Sequence, residues 1–330
     1  MSAQSGSLML RRCLNVSFFV LLAAQLLSGS GAAQAQAFPS RPLRIFTVEA
    51  GGALDITTRS IAQVMSVSLG QSILVENRPS GSRPEDTVIK AAPDGHTLLY
   101  WANPLWLAPF LREVTYDPLK DLAPISLTAR APSVLVIPAT LSANSVRELV
   151  TMTKSRPGQL NTASTLAGTT PHLAAVMFSS MAGINVVNVF YKGTVQGMND
   201  LLAGRVQLMF PSIAAAIPHI RSGKLRALAV TSVTPTDLLP GVPAFAAAGY
   251  PDYEAVSFHA IFAPANTPAP IIQRLNQEVV RALHQADVKE KLFRIGIDVA
   301  GSTPEQLTVT MKSEMTKLGK VIKDNAIRAE

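Results

Sequence analysis

Short runs of apolar, often β-branched residues alternate along this chain with longer stretches whose apolar positions have helical spacing. The short runs predict strands and the longer stretches predict helices. Their alternation is typical of an α/β fold built from parallel strands. The predicted strands cover residues 43–48, 72–76, 97–101, 134–137, 185–190, 206–210, 225–230 and 258–263.

Several of the predicted helices have recognisable ends. A helix over residues 55–69 is followed by Gly70, and a helix that begins near Pro171 stops at Gly183, a residue type favoured just after a helix. Residues 145–148 form a capping box, and residues 302–305 start the last helix. The methionines of these helices lie at core-facing spacing, which does not indicate a cofactor site.

Residues 1–37 have the pattern of a cleaved export signal. Arg11 and Arg12 precede an apolar run over residues 16–27, and Ala35-Gln36-Ala37 matches a cleavage site. A retained membrane anchor is the alternative, but the run is shorter than the about 20 apolar residues that a bilayer span needs. We therefore expect a periplasmic protein, cleaved near Ala37 and not stably inserted in the membrane.

Composition narrows the classes of function. Cys13 is the only cysteine and lies in the leader, so the mature chain would have no disulfide and no thiolate chemistry. Removing the leader's two arginines lowers the net charge from +7 to +5. The remaining basic residues are scattered, without interleaved aromatic residues, which argues against nucleic acid as a partner.

Signatures of catalysis and of metal binding are missing from the sequence. It has no nucleophile elbow, no phosphate-binding loop and no paired metal-ligand spacing. The five histidines lie far apart along the chain. We expect no catalytic residue, no metal and no cofactor, although an exported enzyme with spatially clustered groups remains an alternative.

Small residues and glycines follow several predicted strands and precede helices. Such junctions are found at residues 51–55, 164–170, 191–194 and 211–212. In a parallel sheet they gather at the carboxyl ends of the strands, where α/β proteins bind ligands. Backbone N–H groups at helix starts suit an anion, so the pattern favours capture of a carboxylate. The alternative is that these are ordinary strand–helix turns.

No repeat or flexible linker divides the chain. Proline-bounded stretches near residues 137–140 and 252–257 are the best candidates for crossings between two lobes. The expected organisation is a signal peptide over residues 1–37, a discontinuous first lobe over residues 38–139 and 255–330, and a second lobe over residues 140–254.

A series of motifs, in order and with consistent spacing, resembles the periplasmic receptors of tripartite tricarboxylate transporters, often called Bug receptors. The motifs span nearly the whole mature chain and comprise residues 38–42, 75–79, 92–95, 116–125, 163–173, 191–193, 218–220, 223–229 and 301–305. Each motif alone is weak, whereas the ordered set is specific to this family.

The resemblance implies a two-lobed, type II-like α/β binding protein that closes on a small organic acid like a flytrap. It also implies delivery of that ligand to membrane transporter subunits. In the family, the first strand–helix loop and the loop matching residues 164–169 face each other and hold a carboxylate. By that resemblance the expected ligand contacts are Gly51, Gly52, Asp55, Ser164, Gly168 and Thr169, with Tyr191 and Phe258 nearby.

The sequence departs from the family pattern around the expected site. Glu49 places a carboxylate in the first loop, where it would repel a ligand carboxylate unless it faces solvent. Residues 80–86 replace a glycine-rich stretch, and Thr165-Leu166-Ala167 replaces smaller residues. These departures predict an atypical ligand or the loss of tight binding. A receptor-like sensor that reports to a signalling partner is therefore an alternative to a transport receptor.

Overall fold

The computed structural model of the protein describes residues 38–48, 50–78 and 82–329. The predicted leader with Cys13 and its cleavage site lies outside the described residues, as do Glu49 and residues 79–81. Residues Arg41–Glu330 form one unit, and the following description concerns that unit. Within its described part, no helix is both long enough and apolar enough to cross a membrane.

Strands and helices alternate along most of the unit. The strands are β1 (Leu43–Thr47), β2 (Ile73–Asn77), β3 (Thr97–Ala102), β4 (Leu122–Pro132), β5 (Val134–Pro138), β6 (Asn161–Ser164), β7 (Val187–Phe190), β8 (Leu208–Met209), β9 (Leu225–Val230), β10 (Val256–Pro264) and β11 (Asp298–Val299). The helices are α1 (Ala53–Leu69), α2 (Pro84–Ile89), α3 (Pro104–Leu111), α4 (Val146–Ser155), α5 (Thr170–Ala182), α6 (Thr194–Leu202), α7 (Ile213–Arg221), α8 (Ala269–Leu283), α9 (Ala286–Arg294) and α10 (Pro304–Asp324).

Two sheets organise the fold, and both are mixed. The first has the order β11-β4-β10-β3-β1-β2 and the second has the order β7-β6-β8-β5-β9. Strands β1, β2 and β3 are parallel, as are β6, β7 and β8, which fits the predicted α/β class. The prediction of parallel strands did not include the antiparallel pairs, in which β10 runs antiparallel to β3 and β4, and β5 runs antiparallel to β8 and β9.

The chain changes sheet twice. Strand β4 belongs to the first sheet and β5 to the second, so the first change falls at Ser133. The second change falls between Val230, which ends β9, and Val256, which starts β10. The prediction placed residues 134–138 in the first lobe, but their backbone pairs with β9 of the second sheet. We therefore propose lobes that divide at Ser133 and near residue 255.

Helix ends follow the predicted chemistry. Helices α1 and α5 end at Gly70 and Gly183, whose φ angles of 65° and 61° lie in the left-handed region that glycine tolerates best. The Ser145 hydroxyl accepts a hydrogen bond from the backbone N–H of Glu148 at the start of α4. At the start of α10, Thr303 and Gln306 form a reciprocal capping box.

An aromatic cluster fills the core beneath the second sheet. Phe245 is fully buried; its ring stacks on Tyr253, with 4.0 Å between ring centroids, and meets the edge of Phe178. The Tyr253 hydroxyl, also buried, donates a hydrogen bond to the carbonyl oxygen of Ala174. This cluster ties the long segment between β9 and β10 to helix α5.

Truncation of this cluster should destabilise the fold. We expect Phe245→Ala to lower the free energy of unfolding by about 3–5 kcal/mol, because it leaves a cavity and removes ring contacts. Phe293→Ala is the matched control, since that ring is 46% exposed. Urea unfolding of both variants measures the difference, and a similar small loss in both would contradict the assigned packing.

Candidate functional site

Six helices follow a strand and begin without a side-chain cap, namely α1, α2, α3, α5, α6 and α8. Helices α1, α3, α5 and α6 have Gly52, Asn103, Thr169 and Gly193 at their N-cap positions. By contrast, α4, α7 and α10 carry a Ser or Thr side chain that accepts from the first turn. The first turn of each uncapped helix retains backbone N–H groups without a side-chain acceptor, an arrangement that suits anionic ligands.

Asp55 organises the first of these loops. Its carboxylate accepts hydrogen bonds from the backbone N–H of Gly51 at 2.9 Å, from Asn77 Nδ2 at 2.7 Å and from Arg59 Nε at 2.9 Å. Burial raises the pKa of Asp55, but these hydrogen bonds and the Arg59 charge lower it further, so the net shift is downward. Asp55 therefore stabilises the loop. The backbone N–H of Gly51 already donates to the Asp55 carboxylate.

The second loop, between β6 and α5, is also closed by internal hydrogen bonds. The backbone N–H of Gly168 donates to His172 Nδ1 at 3.1 Å, and the backbone N–H of Thr169 donates to the carbonyl oxygen of Leu166. Burial lowers the pKa of His172, which keeps its ring neutral and Nδ1 able to accept. The Ser164 hydroxyl donates to Asn188 Oδ1. The main-chain donors of Gly168 and Thr169 are therefore already used.

The third loop, between β7 and α6, carries a ring and a cation. The Tyr191 hydroxyl donates to Asp200 Oδ2 at 2.8 Å, and Arg205 pairs with the other oxygen of Asp200 at 2.7 Å. Lys192 is exposed, and no carboxylate of the described residues lies within ion-pair distance of it. The loop therefore holds the Tyr191 ring in place through Asp200, next to the Lys192 ammonium group, which has no ion-pair partner among the described residues.

The second and third of these loops border a cavity of about 740 Å³ between elements of the two sheets. Much of its wall is apolar and includes Trp101, Leu105, Leu111, Tyr116 and Phe190. Its charged groups are Glu85, Arg112, Lys192 and Arg328, and its hydroxyl groups belong to Ser82, Tyr116, Thr165, Thr169 and Tyr191. Three basic side chains and one acidic side chain therefore surround a largely apolar space, a combination suited to an organic anion.

Three of the predicted site residues line this cavity, namely Gly168, Thr169 and Tyr191. Gly51 and Gly52 are exposed at the first loop and are not in the wall, and Asp55 faces its own loop. Ser164 is buried at the end of β6, and Phe258 is 4% exposed within the core on β10. The structure does not bring these five residues to the cavity, so their contact with a ligand stays a prediction.

Sequence reasoning did not single out Glu85 and Arg112 as site residues. Glu85 falls in the stretch that departs from the family pattern, and Arg112 was one of several scattered basic residues. The departure was the only available signal for Glu85, because an acidic residue in the first turn of a helix is ordinary. Their proximity, with Arg112 Nη2 3.6 Å from Glu85 Oε1, depends on the packing of α2 against the end of α3.

A larger cavity of about 910 Å³ lies on another side of the unit. Its charged lining residues are Arg130, Asp237, Glu254, Lys289, Glu290 and Asp298. Acidic groups outnumber basic ones there, which disfavours an anion, and none of the predicted site residues takes part. In the described residues, no three His, Cys, Asp or Glu side chains are grouped as a metal site.

Comparisons with known proteins agree on one family. The model described as "Tripartite tricarboxylate transporter family receptor" matches residues 57–327. "Protein BugT" of Bordetella pertussis is 32% identical over 300 residues, covering 89% of this chain and 92% of that protein.

Solved structures of similar proteins share the fold. "R. palustris Rpa4515 with adipate" is 31% identical with a TM-score of 0.74, covering 88% of this chain and 99% of that one. "MatC (Rpa3494) from Rhodopseudomonas palustris with bound malate" is 28% identical with a TM-score of 0.70, covering 86% and 100%. The shared fold confirms the two-lobed α/β architecture predicted for this chain.

Gly168 should be intolerant of any side chain. Its φ angle is 78°, and a Cβ atom there would lie 2.7 Å from the side chain of Leu111 on α3. Gly204 has a similar φ of 72° but open space around it, so it is the matched control. We expect Gly204→Ala to cost about 1 kcal/mol from backbone strain alone. Gly168→Ala should cost about 1–3 kcal/mol more because of crowding. Equal urea midpoints would contradict the close approach of Leu111.

The Asp55 network should contribute to stability in a pH-dependent way. We expect Asp55→Asn to lower the free energy of unfolding by about 2 kcal/mol at pH 7, since hydrogen bonds to a buried charge are lost. The folded-state pKa is lowered, so this contribution is present above the unfolded pKa of about 4 and disappears as pH falls through the folded value. Asp287→Asn, at an exposed first-turn position of α9, should change stability much less. A pH-independent difference between the variants would contradict this assignment.

Proposed function

Because the chain belongs to the family of tripartite tricarboxylate transporter receptors, we propose that it captures a small organic acid outside the cytoplasm and delivers it to a membrane transporter. The protein holds its ligand by contacts alone and releases it unchanged. We further propose that the leader over residues 1–37 directs export and is removed near Ala37. Membrane subunits of the transporter are the proposed partners.

The observation that carries this proposal is the charge pattern of the 740 Å³ cavity. Arg112, Lys192 and Arg328 line it, while Glu85 supplies the only carboxylate among its described lining residues. Arg112 lies near Glu85, and Arg328 donates to the carbonyl oxygen of Phe110, so both are partly committed. Lys192 is the cation best placed to receive a carboxylate, beside the hydroxyl groups of Thr165 and Thr169.

The size and lining of the cavity support a small ligand with an apolar body. Pockets for small molecules typically measure about 300–1,000 Å³, bury most of the ligand and use a few polar groups to fix its orientation. Adipate and malate, the acids bound in two similar structures, fit that description. The aromatic wall formed by Trp101, Phe190 and Tyr191 favours acids with a longer or flatter carbon skeleton than malate.

The test is a thermal-shift screen of the mature chain against a library of organic acids. A binding acid at 100 times its dissociation constant should stabilise the protein by about 2.7 kcal/mol, which is a readily measured shift. No shift with any acid would contradict capture of an organic acid. Recovery of the bound acid by mass spectrometry should return it unchanged, and a converted product would favour an enzyme instead.

Lys192→Ala should weaken binding of any acid found in the screen. We expect about tenfold loss of affinity, because an ion-pair contact to the ligand is worth roughly 1.4 kcal/mol or more at such a site. Lys224→Ala is the matched control, since Lys224 is exposed and outside the cavity. Titration calorimetry on both variants measures the effect, and equal affinities would remove Lys192 from the site.

A further inference from the structure

Glu85 is the polar group of the cavity whose hydrogen bonding is incomplete. The side chain is 5% exposed, and its Oε2 atom accepts no hydrogen bond from the protein. The nearest cation to Oε1 is Arg112 Nη2 at 3.6 Å, which is longer than a hydrogen bond. A buried oxygen without a donor is unfavourable, and native structures rarely leave one without a purpose.

The surroundings of Glu85 do not offer it another partner. The Tyr116 hydroxyl, which also lines the cavity, donates to the carbonyl oxygen of Leu105 instead. Burial raises the pKa of Glu85, and its own backbone N–H and Arg112 offset this only in part. The Oε2 atom of Glu85 therefore lacks a donor among the described residues, and Glu85 is one of the residues that line the cavity.

The cavity is also polarised from end to end. Glu85 and Arg112 come from α2 and the end of α3, on the first sheet, whereas Thr165, Thr169 and Lys192 come from loops of the second sheet. Apolar side chains, including Trp101, Leu105 and Phe190, complete the wall. A ligand that spans this space would meet Lys192 and hydroxyl groups on one side, and the Glu85 carboxyl group with Arg112 beside it on the other.

We infer that Glu85 selects acids that carry a hydrogen-bond donor, a hydroxyl or an ammonium group, on the part of the molecule opposite their carboxylate. The inference rests on the proposed function, since it assigns the ligand class of the same cavity. The donor satisfies the Glu85 oxygen, while the carboxylate is held at Lys192. A second carboxylate in that position would be repelled by Glu85, and this repulsion offsets the attraction of the neighbouring Arg112. Symmetric diacids such as adipate are therefore disfavoured in this chain.

The experiment compares matched ligands on the mature protein by titration calorimetry at pH 8. Each series of four to eight carbons contains the plain monoacid, its terminal hydroxy acid, its terminal amino acid and the diacid of equal length. Benzoate and 4-hydroxybenzoate form an aromatic pair. In the series that binds, we expect the hydroxy or amino acid to bind at least about tenfold more tightly than the plain acid, or about 1.4 kcal/mol. The diacid should bind more weakly than the hydroxy or amino acid.

Glu85→Gln should invert this preference with little change of shape. The amide removes the negative charge and can donate to a carboxylate, so diacid affinity should rise at least about tenfold while the preference for an ammonium group disappears. Asp86→Asn is the matched control, because it removes one charge from the same helix at a position outside the cavity wall. Asp86→Asn should retain the wild-type order, and melting curves verify that both variants fold.

The outcomes separate this inference from the proposed function. If acids bind but the plain, hydroxy, amino and dicarboxylic members do so equally, the receptor function stands. Glu85 is then satisfied by solvent, and the inference is overturned. A wild-type preference for diacids that Glu85→Gln leaves unchanged overturns it as well. If no acid binds at all, the proposed function fails and this inference fails with it.

Discussion

The structure depends on the pairing of its two crossings between sheets. Thr231, just after β9, donates its backbone N–H to the carbonyl oxygen of Ser133 at 2.9 Å, and its hydroxyl accepts from the Ser133 N–H at 2.8 Å. Ala255, just before β10, donates to the Thr231 carbonyl. All three residues are buried, so water does not compete for these bonds. These bonds hold the two crossings side by side and so fix the two sheets to each other at this point.

A second buried network also joins elements on the two sides of the cavity. The side chain of Asn103, at the start of α3, accepts a hydrogen bond from the Thr170 hydroxyl of α5 at 3.3 Å and donates to the Val256 carbonyl at 3.2 Å. Its amide also lies 3.5 Å from Glu314 on α10, whose other oxygen accepts from the Trp106 indole N–H. Burial raises the pKa of Glu314 to about 8, which keeps this carboxyl largely protonated at neutral pH and avoids an unpaired buried charge. Together with the close approach of Gly168 to Leu111, this network fixes the positions of the two sides of the cavity relative to each other.

Local sequence patterns predicted most of the elements. The runs of β-branched residues located β1, β3, β5, β9 and β10 to within two residues, and glycines at positions 70 and 183 located the ends of α1 and α5. Strand β4 was missed because its alternating small and polar residues, with prolines at both ends, lack the apolar run that the other strands show. The mixed character of the sheets was also beyond local patterns, because strand direction is decided by the crossings at Ser133 and Thr231. Pairing between strands so far apart in the sequence cannot be recognised from a stretch of ten or fifteen residues.

The site was less predictable than the fold, and the reason is physical. Family resemblance pointed to loops, and three of those loop residues do line the cavity, but the wall is completed by side chains that only tertiary packing brings together. Arg112 and Glu85 are 27 positions apart in the chain and meet because α2 packs beside the end of α3. The sequence nevertheless marked the relevant region, since residues 80–86 depart from the family pattern where Glu85 lies.

The departure at Glu49 suggested repulsion of a carboxylate at the first loop; the structure supports the same conflict at Glu85, on the opposite side of the cavity from Lys192. A buried carboxyl oxygen without a hydrogen-bond donor lowers the stability of the ligand-free receptor. A ligand that donates a hydrogen bond to this oxygen removes that destabilisation. The departure from the family pattern is thus better explained by a change of ligand than by loss of binding.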